Sequence, residues 1–172
     1  EYGCTGLMGL HWRTEILSPN ISALAQAAWE QNWNATAGPA VPGHVANYAN
    51  AAISGTQDAP LYRSCRYDLG TIRLKAPNGR YKVTLKFCEP HFDSAGERIC
   101  DVQVQGNTVL PNLDIFARVG KFAALDFTFD GVDVSDGSLS IALIARKSLP
   151  CISAVAVEGA GFTNKINCGG AA

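Results

Sequence analysis

An all-β fold, an antiparallel β-sandwich of jelly-roll type, is the class this sequence predicts, and three observations carry the prediction. From Leu61 onward, apolar and polar residues alternate with period two in run after run. Turn signals built on Gly, Asn and Asp separate those runs, with no helical period between them. The 172 residues, 47% hydrophobic and 17% charged, suffice for one domain with a substantial core and argue against a two-domain enzyme.

The first elements differ from the rest. Gly6-Leu7-Met8-Gly9-Leu10-His11-Trp12 predicts a short strand. Ser18 and Pro19 then suit an N-cap and first helical position, and Ile21, Leu24, Ala25, Ala28 and Trp29 form the i, i+3, i+4, i+7, i+8 stripe of a helix ending near Gln31 or Trp33. One strand and one helix cannot close a core. Residues 1–36 therefore read as a strand-helix appendage, either the last βα unit of a preceding domain or an arm packed on the next one. The start Glu1-Tyr2-Gly3-Cys4 is neither an initiator Met nor a signal peptide, so the expectation is a chain beginning inside something larger.

Residues 34–60, rich in Ala, Gly, Pro and Asn, show no sustained period and read as loop. Tyr48 stands there among small polar neighbours, either an incidental surface aromatic or a ring offered to a ligand. The strands follow. Tyr81, Val83, Leu85 and Phe87 alternate with Lys82, Thr84 and Lys86; Cys100, Val102 and Val104 with Asp101 and Gln103; Leu125, Phe127 and Phe129 with Asp126 and Thr128. The runs Leu139–Ile144 and Ile152–Val157 are more continuously apolar and suit central strands. Residues 37–160 thus form the sandwich, and 161–172 a C-terminal segment.

Six Cys, an even number with no Cys-x-x-Cys pair, favour an oxidising compartment, extracellular or periplasmic. Cys88 continues the polar face of its strand and Cys100 the apolar face, so the two point to opposite sides of a simple hairpin. Cys100 is expected as a buried free thiol, and Cys65–Cys151 is the candidate disulfide. Fourteen basic against fifteen acidic side chains, with no basic cluster, exclude a field that would recruit nucleic acid. No apolar stretch approaches the roughly 20 residues of a membrane span, so no membrane partner is expected. Two N-glycosylation sequons, at Asn20 and Asn34, are too short a pattern to decide anything.

The densest polar cluster is Glu89-Pro90-His91-Phe92-Asp93-Ser94-Ala95-Gly96-Glu97-Arg98, between two strands. Three readings stand beside each other. Glu89 and Asp93, with Asp114 as helper, could serve as acid and base, which needs carboxyl groups about 5 to 9.5 Å apart. The segment could equally be a solvated loop. It could also be a binding loop in which His91 and Phe92 stack on a sugar while Glu89 and Asp93 accept hydroxyl hydrogen bonds. Asp130, Asp133 and Asp136 fall among turn residues, and the three His lie far apart in sequence. No metal and no cofactor are expected.

At Leu113-Asp114-Ile115-Phe116-Ala117-Arg118-Val119-Gly120 the chain resembles the malectin family of carbohydrate-binding modules. The resemblance extends over 61–67, 79–89, 98–104 and 152–159, about residues 40–160 in all. It implies a β-sandwich lectin that binds an oligosaccharide or polysaccharide without cutting it. The family's aromatic sugar site falls on Tyr48, Tyr67, His91 and Phe92, which raises the binding-loop reading above the other two. His91 stands where the family has Tyr, and no acid stands near Lys147-Ser148, where the family Asp falls. Gly9–Thr14 and Ala23–Trp29 look like the last strand and helix of a glycoside hydrolase barrel, implying an upstream hydrolase as partner. Lys165-Ile166-Asn167-Cys168-Gly169-Gly170 is similar to the family's first strand. It implies a second module, a strand that folds back, or one exchanged across a dimer.

Overall fold

The computed structural model describes residues 41–170. The predicted N-terminal strand and helix, Cys4, His11, both sequons and the boundary at 36 lie outside the described residues. Among the described residues, eleven strands form three antiparallel sheets. One four-stranded sheet runs β11 (Phe162–Asn167), β10 (Ala154–Gly159), β4 (Gly79–Phe87), β7 (Leu125–Val134). The other runs β3 (Thr71–Lys75), β8 (Ser138–Lys147), β5 (Ile99–Val104), β6 (Asn107–Leu113).

Period two decides what lies between the sheets. Tyr81, Val83, Leu85 and Phe87 of β4 meet Val102 and Val104 of β5 and Leu139, Ile141 and Leu143 of β8 in one buried cluster. Each such side chain stabilises the fold by about 1.5 to 3 kcal/mol through burial alone. The two continuously apolar runs are β8 and β10, and each is flanked by strands on both sides, as their composition predicts. On β10 the alternate faces have different covers. Val155 and Val157 enter the main core, whereas Ala154 and Ala156 lie in a smaller cluster with Cys88, Leu61 and Tyr62.

That second cluster explains Cys88. It does take the face opposite Cys100, but a one-turn helix, α1 (Ala59–Tyr62), covers that face and makes it apolar. The Tyr62 hydroxyl donates to Asp126 Oδ1 at 2.5 Å, and Lys86 Nζ bridges Tyr62 Oη and Asp126 at 3.0 and 2.5 Å, which fastens α1 to β4 and β7. Cys100 is a buried free thiol, as expected. The Cys65–Cys151 expectation is corrected: the two are neighbours, but both are free thiols in this structure.

The stretch read as loop contains two elements, α1 and a strand, β1 (His44–Asn47). This strand pairs with β2 (Ser64–Tyr67), which pairs with β9 (Cys151–Ile152), giving a third sheet that the sequence pattern does not show. Gly43 precedes β1 at φ +96°, and a Cβ there would fall 2.3 Å from the Tyr67 carbonyl oxygen, so glycine alone permits this approach. After β6, Asp114 caps a short helix, α2 (Ile115–Val119), accepting from Ala117 N at 2.9 Å, and Gly120 ends it at φ +81°. β11 pairs with β10 of its own chain from Asn167 opposite Ala154 to Phe162 opposite Gly159. Asp133 makes an exposed pair with Arg80 at 3.3 Å, and Asp136 accepts from Ser138 N at 3.1 Å.

Candidate functional site

The small third sheet supplies the floor of a cleft of about 330 Å³. Its register explains which side chains face inward. Tyr67 lies opposite both His44 and Cys151, and Cys65 lies opposite Ala46, so these positions share one face. Ala46, Cys65, Tyr67 and Cys151 all line the cleft. His44 leans on Tyr67 with ring centroids 5.7 Å apart. Tyr48 follows β1, fixed by its amide donating to Arg63 O at 2.7 Å and by edge contact with Phe122 at 5.7 Å.

The loop after β4 forms the wall through Pro90, His91, Phe92 and Arg98, and Ser148 and Leu149 form the opposite lip. Glu89 builds this wall from beneath. Only 1% exposed, its Oε1 accepts from the amides of His91 and Phe92 at 2.9 and 3.1 Å, and its Oε2 accepts from Arg98 Nε at 2.6 Å. Arg98 also donates to the Leu149 carbonyl, tying wall to lip, and its guanidinium lies 5.0 Å from the Phe92 ring centroid. His91 meets Phe92 edge to face at 4.8 Å. On the outer side Lys121 Nζ donates to His91 O at 2.9 Å and Asp93 Oδ1 at 2.8 Å.

The four predicted rings, Tyr48, Tyr67, His91 and Phe92, are thus brought together around one cleft, although 44 positions separate the first from the last. The two predicted carboxylates are not among the lining residues. Glu89 is fully engaged under the loop, and Asp93 projects outward, its side chain 83% exposed beside Lys121. Asp114 is a helix cap that also accepts from Gly96 N at 2.5 Å. No two of these three carboxyls face each other across the cleft lining, so the acid-base pair that hydrolysis requires is not assembled from them.

The sequence reading missed Ala46, Cys65, Pro90, Arg98, Ser148, Leu149 and Cys151. Period two on β2 does carry a signal for Cys65, two residues from Tyr67. The resemblance marks Ser148, since the family Asp falls near Lys147-Ser148, but nothing local marks Leu149. Burial, then the charges of Cys65 and Glu89, raises the Tyr48 hydroxyl above its ordinary pKa. The chemistry offered is therefore aromatic faces with hydroxyl, imidazole and thiol groups at their edges.

Comparison with known proteins agrees with this architecture. A family model described as Malectin domain matches residues 13–164. Its match begins within the segment that the sequence assigns to a preceding domain. Malectin-B of Xenopus laevis is 34% identical over 91 residues, covering 51% of this chain and 33% of its own length. Malectin of Homo sapiens is likewise 34% identical over 91 residues, covering 51% and 31%. The chain thus spans about a third of the length of these curated relatives. Among solved structures, Bacteroides uniformis β-glucuronidase shares the fold at TM-score 0.64 and 20% identity, over 71% of this chain and 14% of that one. The complex of plant peptide RALF23 with FER and LLG2 matches at TM-score 0.59 and 17% identity, over 70% and 39%.

Proposed function

The chain belongs to the malectin family, and from that premise we propose that it is a non-catalytic module binding an oligosaccharide or polysaccharide in the cleft formed by Tyr48, Tyr67, His91 and Phe92. The observation that carries the reading is the convergence of these four rings on one cleft of about 330 Å³, a size within the range of small-molecule sites. A pyranose presents a C–H face to such rings and a rim of hydroxyls to the polar groups at their edges. Tyr48 and Tyr67 hydroxyls, His91 and Ser148 supply those partners. Glu89 acts in this reading as a positioning residue, and Asp93 as a rim charge outside the contact.

The upstream segment 1–36 is, on the same reading, the end of a glycoside hydrolase domain that the module targets to its polysaccharide, outside the cell or in a periplasm. Support comes from the barrel-like strand and helix pattern and from the cysteine count. No helix among the described residues is long and apolar enough to cross a membrane. A glycan array spanning gluco- and galacto-oligosaccharides tests the proposal. Retention of a defined glycan set, lost in Phe92→Ala, supports it, whereas silence across the array at every concentration points to a protein-interaction sandwich instead.

A further inference from the structure

The five described cysteines are all buried and all free, yet they are not equivalent. Cys100 and Cys168 sit in the main core and Cys88 in the small cluster. Of the five, Cys65 and Cys151 line the cleft, each no more than 2% exposed. They project from the same face of adjacent antiparallel strands, since Cys151 lies opposite Tyr67 and Cys65 is two residues from Tyr67. They lie close enough for each to influence the other's ionisation, and Cys151 Sγ donates to the Cys88 carbonyl at 3.6 Å. β9, which carries Cys151, is two residues long and follows Ser148 at φ +56°.

We propose that Cys65 and Cys151 are a dithiol that a low-molecular-weight disulfide converts to a Cys65–Cys151 disulfide in the floor of the cleft. Cys65 attacks first. The adjacent Cys151 thiol and the field of the Arg98 guanidinium favour its thiolate, against the opposing effect of burial. Attack on the reagent RSSR forms Cys65–S–S–R and releases one thiolate, which takes up a proton. Cys151 then gives up its proton and attacks Cys65 Sγ, forming the protein disulfide and releasing the second RSH. Two protein thiols lose two electrons and two protons, and one RSSR becomes two RSH. Cys88, Cys100 and Cys168 are poor competitors, because burial raises their pKa to about 12, 11 and 12.

The test equilibrates the whole chain with glutathione buffers of rising disulfide fraction, quenches by alkylation and reads intact mass followed by peptide mapping. The expected product has lost about two hydrogen atoms, with one cross-linked peptide joining Cys65 to Cys151. Cys151→Ser should then accumulate one glutathione on Cys65, several-fold more than Cys65→Ser accumulates on Cys151. A link through any other cysteine, or folded protein that keeps its mass at every ratio, overturns the proposal. So does equal glutathione uptake by the two variants. The wild-type map decides alone if either serine variant fails to fold, and no readout depends on saccharide binding.

Discussion

Glu89 reads in sequence as a loop acid that accepts a sugar hydroxyl and instead anchors the cleft wall, its two oxygens engaged by two amides and Arg98. Glu89→Gln would leave the Arg98 guanidinium without its counter-charge, at a cost of about 3 to 5 kcal/mol. The melting temperature should fall by roughly ten degrees, read by calorimetry, and ligand affinity should fall with it because His91 and Phe92 lose their tether. Phe92→Ala and Tyr67→Ala should behave differently: near-normal melting, with affinity down roughly five- to thirty-fold for a loss of about 1 to 2 kcal/mol. Alkali supplies a separate check. Burial raises Cys88, Cys100 and Cys168 above the ordinary thiol pKa of 9.0, so above pH 9 the unfolded chain loses protons that the native chain keeps. The stabilisation is complete below pH 9 and is lost as pH rises toward 12. Urea midpoints should therefore drop between pH 9 and 11, and Cys168→Ala should flatten that slope; an unchanged slope removes Cys168 from the account. Residue types alone identified the four rings through resemblance, but burial of Glu89 depends on Arg98 folding back nine positions, which no local pattern records.

At the scale of elements, the long strands were legible and the short ones were not. β4 and β7 bury one face against the opposite sheet, and nine or ten residues of alternation make that plain, while β8 shows as a continuously apolar run. β1 has four residues with one half-buried apolar side chain, and β9 has two residues, so neither carries a period. α2 is one turn, too short for a stripe, although Asp114 and Gly120 mark its ends. β11 carries a prediction of its own. It covers one edge of β10, brings Ile166 into the core, and leads into Cys168, whose amide donates to Ser153 O at 2.9 Å. Truncation after Glu158 should lower the melting temperature by several degrees or more, as the loss of about 2 kcal/mol requires. A truncated chain that melts unchanged would show that β11 contributes nothing to the sandwich. Gly169 packs so closely that a Cβ would lie 2.5 Å from Cys65 N, so Gly169→Val should destabilise the chain and disturb the cleft floor together.

The whole molecule joins two layers that sequence pattern predicts to a third, smaller sheet that it does not. The sandwich core follows from period two, because each strand must hide one face and only an opposed sheet can receive it. The cleft lies over the third sheet, whose three strands come from positions as far apart as His44 and Ile152, and only the assembled chain brings them into register. Hence the rings, and the lip near Ser148, could be placed from the family pattern, while the floor could not. The central claim is that this arrangement binds a saccharide and does not cut it. Calorimetric titration of the intact chain with the oligosaccharide retained best on an array, with reducing ends assayed in the same sample, tests it most directly. The account predicts saturable heat, weakened roughly five- to thirty-fold in Phe92→Ala and Tyr67→Ala, with no new reducing ends. Release of reducing sugar that vanishes in a folded Glu89→Gln variant would contradict it, as would binding that both ring variants leave unchanged.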